Sequence, residues 1–253
     1  MINNIFNKLQ EKFDHIFVLT LSSRLDRHDA ILNQLKNIGY DPNIDSNLEL
    51  FYATLFPYNE TIAIEFNESL NCRFCFPNEF DCARNHYSIV KRSFDFGYER
   101  ILIMEDDIRF LKDQNKFIEY LDAIPEDFDI LQFSCYCKNE KLDKYLNCED
   151  LWFKHNDVGC WTAAMYALSR KGMQYYLTFM NKQFSAADMP LYVAPVNNKI
   201  VNTYLSKIPL ALQADVKLSG SDINVNNAGS INYNSNRYEF NINKNDYFTY
   251  KIK

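Results

Sequence analysis

Apolar runs separated by polar turns divide this chain into alternating strands and helices. Residues 14–20 (DHIFVLT) read as a first strand, followed by a polar turn from Leu21 to Arg27. A helix over residues 25–38 follows, with Leu25, Leu32, Leu35 and Ile38 on one face and Gly39 placed as its C-cap. Residues 48–54 predict a second strand, and 82–96 a helix ending at Gly97. Residues 100–107 predict a third strand, whose run Ile101, Leu102, Ile103, Met104 shows no alternation and so reads as covered on both faces. A helix over 115–123 is stopped by Pro125, and 128–134 (FDILQFS) is another strand. The pattern continues with a strand at 162–169, a helix at 170–181, and a partly helical stretch at 188–206 interrupted by Pro195. Strands alternating with helices imply an α/β fold with a mostly parallel central sheet flanked by helices.

Residues 1–223 are expected to form one domain, and the Asn-, Tyr- and Lys-rich residues 224–253 a tail packing on or over it. The first 13 residues are amphipathic without the apolar core of a secretory signal, so they read as a short helix against the body or a contact with a membrane surface. No apolar stretch has transmembrane length, and the expected location is cytoplasmic, with peripheral association at the inner face of a membrane left open.

Charge narrows the picture. A net charge of -6 over 253 residues argues against a nucleic-acid partner. An anionic ligand would therefore need local Arg, Lys or metal. The 47% hydrophobic and 24% charged content is that of an ordinary globular chain, with aromatics at 15% suited to clefts for sugars or flat rings. The seven cysteines are irregularly spaced. Cys72-x-x-Cys75 followed by Cys82 would supply three of four zinc ligands, but no second Cys-x-x-Cys follows and Cys135-x-Cys137 is too close for a knuckle, so reduced thiols are the default reading.

The chemistry concentrates where the third strand runs into Glu105-Asp106-Asp107. Acids at that end of a strand face the crevice where open α/β sheets bind ligands. Glu105 and Asp107, at i and i+2, share one side of an extended backbone. At roughly 5 Å and an effective dielectric of ~20 their charges repel by about 3 kcal/mol, which a divalent cation would remove. Hard oxygen ligands suit Mg²⁺ or Mn²⁺. A solvated acidic turn is the alternative.

Four ordered segments resemble glycosyltransferase family 25. They are Ile16-Phe-Val-Leu-Thr-Leu-Ser-Ser-Arg24-Leu-Asp-Arg27, Cys82-Ala-Arg-Asn85-His86, Leu102-Ile-Met-Glu105-Asp106-Asp107, and the stretch from Gly159 through Trp161 and Ser169 to Gly172. Asp188, Gln213 and Ser221-Asp222-Ile223 extend the likeness downstream, so that it covers roughly residues 14–223. Three positions depart from the family pattern: Asn85 for a serine, Thr54 where an acidic turn is usual, and Ala187 for a valine.

The resemblance implies a GT-A-type, Rossmann-like fold and a metal-dependent, inverting transfer from a nucleotide sugar, most often UDP-galactose, to a glycan or protein acceptor. It implies Asp107 as the first metal ligand, with Glu105 beside the metal's water shell or the ribose. Asp106 is assigned to the donor pocket or to backbone donors. Arg24 and Arg27 would grip uracil or phosphate, or else pair at the surface to support their helix. His86 would touch a phosphate or orient a loop, or simply cap or fill the core. Asp188 is the candidate base for the acceptor hydroxyl, or a plain N-cap, with Asp157 a weaker rival. Trp161 would pack on a sugar face or in the core, and Gln213 and Asp222 would complete the site. Other readings are a nucleotidyltransferase or phosphohydrolase, disfavoured by the lack of a Gly-rich phosphate loop, and a family member without turnover that serves as a binding module.

Overall fold

The computed structural model describes residues 4–54, 77–134, 149–154, 162–197, 200–214 and 244–249. Seven strands form one sheet: β1 (His15–Thr20), β2 (Leu48–Tyr52), β3 (Arg100–Glu105), β5 (Ile130–Gln132), β6 (Trp152–Lys154), β7 (Met165–Ser169) and β8 (Thr203–Ser206). Their order is β2-β1-β3-β7-β5-β8-β6. Strands β2, β1, β3, β5 and β8 share one direction, and β7 and β6 oppose it. The sheet is thus mostly parallel, as expected for a Rossmann-like GT-A fold. A separate two-stranded sheet pairs β4 (Ile108–Phe110) with β9 (Ala211–Gln213).

Among the described residues six helices flank the sheets: α1 (Ile5–Lys12), α2 (Leu25–Asn37), α3 (Pro77–Phe96), α4 (Gln114–Asp122), α5 (Arg170–Lys182) and α6 (Met189–Val193). Local chemistry sets their ends. Asn4, Asp113 and Ser169 accept N-terminal backbone N–H groups of α1, α4 and α5 through their side chains. Gly39 and Gly97, beyond α2 and α3, take φ of +101° and +83°, a conformation that costs a glycine little.

The apolar run of β3 feeds two cores. Leu102 and Met104 join Ile16 and Val18 in one apolar cluster, with α1, α2 and α4 over it. Ile101 and Ile103 join Phe17 and Leu19 in the other, under α3, α5 and α6. This two-sided burial explains why the strand carries no polar alternation. Helix α1 is part of the body, since Ile5, Phe6 and Leu9 are wholly buried.

Two stretches differ from the sequence reading. Residues 188–206 are helical only to Asn197, and 203–206 form β8, paired parallel to β5. The strand expected over 100–107 turns after Glu105 and resumes as β4. Of residues 224–253, those at 244–249 lie along β4: Leu111 bridges Tyr247, Phe248 N–H donates to Phe110 O, and Arg109 Nε donates to Phe248 O.

Candidate active site

Parallel pairing puts the C-terminal ends of β1 and β3 side by side, with Leu19 opposite Glu105. The next residues, Thr20 and Asp106, meet: Thr20 Oγ1 donates to Asp106 Oδ2 at 2.7 Å. From the first turn of α2, Arg27 Nη1 reaches Asp106 Oδ1 at 3.0 Å and lies 4.0 Å from Asp107 Oδ2. Burial works against the Arg27 charge, but Asp106 and Asp107 outweigh it and raise the guanidinium further. Asp106 therefore turns to side-chain donors. Arg24 makes a bidentate pair with Asp26 within its own turn, at 3.0 and 2.9 Å.

The outer two acids face a common amide. Gln213, on β9 opposite Ile108, donates through Nε2 to Glu105 Oε2 at 3.4 Å and Asp107 Oδ2 at 3.3 Å. The backbone N–H of Ala214 also donates to the carbonyl of Asp107. Asp107 Oδ1 is buried and has no hydrogen-bond partner among the described residues. Burial, then the Glu105 charge, push the Asp107 carboxyl up to about 8. An orphaned buried carboxylate oxygen beside a second carboxylate is the donor set that a hard divalent cation fits.

Glu105 Oε1 faces the opposite way, toward α3. His86 Nε2 lies 3.3 Å from it and Cys82 Sγ 3.9 Å. His86 is fully buried, with its Nδ1 2.9 Å from the Tyr166 hydroxyl of β7. A ligand atom from each of Cys82, His86 and Glu105 lies within 4.8 Å of the others.

Asp188 precedes α6 but makes no capping bond with its side chain. Its carboxylate accepts instead from its own N–H and that of Thr162. Thr162 holds φ of +119°, a region that a β-branched residue enters at a cost of about 1–3 kcal/mol. Strain of this kind gathers where function fixes the backbone, and here it aims an N–H at Asp188. The Ala164 carbonyl, two residues on, accepts from Glu105 N–H at 2.9 Å, tying this segment to the acidic turn. Burial chiefly, with the nearby Glu105 charge, pushes Asp188 up to about 6.

The fold thus brings together Arg27, His86, Glu105, Asp106, Asp107, Asp188 and Gln213, with Arg24 at the margin. Sequence reasoning missed Thr20, Thr162, Tyr166 and Gln213's bridging of two acids. Each lies in a segment that resembles the family, but no residue type there signalled its contact. Asp157, Trp161, Asp222, Cys72, Cys75, Cys135 and Cys137 lie outside the described residues.

Two departures from the family pattern prove to be one feature. The Asn85 amide accepts from Thr54 N–H at 3.0 Å and donates to Thr54 O at 3.1 Å, holding the backbone just beyond β2 as a neighbouring strand would.

Residues 13–191 match the family described as Glycosyltransferase family 25 (LPS biosynthesis protein). Procollagen galactosyltransferase 2 of Mus musculus is 28% identical over 123 residues, covering 47% of this chain and 19% of that protein. The protein of the same name from Homo sapiens is 27% identical over 126 residues, covering 47% and 20%. The matched part of the chain spans about a fifth of the length of these curated relatives.

Proposed function

The chain belongs to glycosyltransferase family 25, and from that premise we propose that it moves a hexose, galactose from UDP-galactose in the first instance, onto a hydroxyl of a glycan or protein with inversion at the anomeric carbon. The observation that carries this reading is the orphaned Asp107 Oδ1, buried beside Glu105 at the end of β3. Asp107 and Glu105 would hold Mn²⁺ or Mg²⁺. Such an ion, when bound, offsets the charge that develops on a departing diphosphate.

The remaining roles belong to the protein. Arg27 neutralises Asp106 and, with Thr20, fixes the acidic turn. Arg24 stands at the edge where the uracil and ribose would lie. Asp188 takes the proton of the acceptor hydroxyl as its oxygen bonds to the anomeric carbon and the bond to the diphosphate breaks. A carboxylate raised to about 6 is a stronger base than an ordinary one and is still ionised at neutral pH. The relatives' name, procollagen galactosyltransferase 2, supports galactose, and the family's description supports a lipopolysaccharide acceptor. No helix among the described residues is long and apolar enough to cross a membrane. A cytoplasmic enzyme working at the inner face of a membrane is part of this proposal.

The test is thermal stabilisation by UDP with and without Mn²⁺, followed by UDP release across a panel of donors. Stabilisation that requires Mn²⁺, together with release from UDP-galactose when acceptor is present, is the expected result. Stabilisation indifferent to Mn²⁺, or no release from any UDP-hexose, overturns the reading.

A further inference from the structure

The face of Glu105 turned away from Asp107 has its own chemistry. His86 is fully buried, with Nδ1 2.9 Å from the Tyr166 hydroxyl and Nε2 3.3 Å from Glu105 Oε1. In the tautomer that carries Nδ1–H, the ring donates to the Tyr166 oxygen and the Nε2 lone pair is directed at Glu105 Oε1, an arrangement that a metal ion between the two completes.

Cys82 supplies a third ligand atom there. It lies one helical turn before His86 on the same face of α3, with Sγ 3.9 Å from the same Glu105 oxygen. Tetrahedral zinc, with bonds of about 2.0–2.3 Å to oxygen, nitrogen and sulfur, separates such ligand atoms by about 3.3–3.6 Å. His86 and Glu105 already stand at that spacing; Cys82, 3.9 Å from Glu105 and within 4.8 Å of His86, has to close on both. A buried hydroxyl on the far ring nitrogen is what orients a metal-binding imidazole. We propose that Cys82, His86 and Glu105 form a second metal site, suited to a thiophilic ion such as Zn²⁺, that has Glu105 in common with the donor site. Binding displaces the Cys82 thiol proton to solvent, and the ligands become thiolate, neutral imidazole and carboxylate. A water molecule is the expected fourth ligand, since zinc held by three protein groups keeps an open position.

The proposal shares Glu105 with the donor reading but is tested separately, by titrating the full, chelator-stripped chain with Co²⁺ alone. The expected result is a thiolate-to-cobalt absorption band that saturates at one equivalent and is bleached by Zn²⁺. Cys82→Ser should remove the band. Tyr166→Phe should keep it but weaken binding by about 10–100-fold, as for other partners that orient a ligand. Cys72→Ser with Cys75→Ser should leave it intact. Asp107→Asn should also leave it intact while losing Mn²⁺-dependent stabilisation by UDP, so the two proposals fail in different experiments. No band in the folded wild-type chain, or one that persists in Cys82→Ser and disappears with Cys72 and Cys75, overturns the second site.

Discussion

The Arg27 guanidinium lies 3.0 Å from Asp106, the middle of three consecutive acids, with the two side chains only 10% and 5% exposed. The protein therefore supplies the counter-charge for Asp106 at close range, and Asp107 lies at the edge of the same guanidinium's reach. Arg27→Gln would remove the guanidinium that faces the buried Asp106 carboxylate. Removing one member of a buried ion pair costs about 3–5 kcal/mol, and for a chain of this size each kcal/mol lowers Tm by roughly 2–4 °C. Thermal unfolding should show that loss, and adding Asp106→Asn should restore part of it. An unchanged Tm in the single variant would show that the pair contributes nothing to stability.

Asp107 should make the metal-free protein sensitive to pH. Its carboxyl is raised from an ordinary 3.8 to about 8, by burial and then by Glu105, so the folded chain favours the protonated form. That contribution to stability is complete below about pH 4 and is lost as pH rises through about 8. Asp107→Asn removes the dependence. In chelator, its Tm should gain on wild type as pH rises across that interval, while Mn²⁺-dependent UDP binding and transfer disappear. Parallel Tm curves for the two proteins would contradict the buried, orphaned carboxylate.

Asp188→Asn should leave UDP and Mn²⁺ binding intact and lower transfer by about 10²–10⁴-fold, the usual contribution of a positioned base. Only the ionised carboxylate can accept the proton. The wild-type kcat/KM should therefore rise with pH through about 6 and then level off, a limb absent from the variant's residual rate. Full activity in Asp188→Asn would leave the residue without a role in proton transfer.

Gly172 tests the fold away from the chemistry. A Cβ there would collide with the Asp129 carbonyl, a backbone atom that cannot swing aside. Gly172→Ala should cost about 1–3 kcal/mol, as overpacking does elsewhere. Denaturant unfolding should report it as a lower midpoint, with UDP binding unchanged in the folded fraction.

The elements carried by local pattern were legible in the sequence. The run Ile101–Met104 announced a strand covered on both faces, and Gly39 and Gly97 marked the ends of two helices. Two strands of three residues were not legible: β6 and β9 are defined by the strands beside them, and each is too short to show a period. The same limit hid β8 inside a stretch with helical character. At the site, residue types identified Glu105, Asp107 and Asp188 as candidates, but their partners are set by long-range contacts. Nothing near Arg27 indicates that it reaches an acid 79 positions away, and nothing near Asp188 indicates that a strained Thr162 points an N–H at it.

The short strand β4 has consequences for the order in which the molecule can be completed. It continues from the acidic turn, yet β9 on one side and residues 244–249 on the other come much later, Arg109 and Phe248 being 139 positions apart. At a synthesis rate of roughly 5–20 residues per second, Arg109 waits on the order of ten seconds for Phe248. During that interval Gln213 and the residues at 244–249 do not all yet exist, and the growing chain carries its three acids without the backbone that later flanks them. Ligand binding that depends on the organised turn therefore waits until residues 211–214 and 244–249 have both been made.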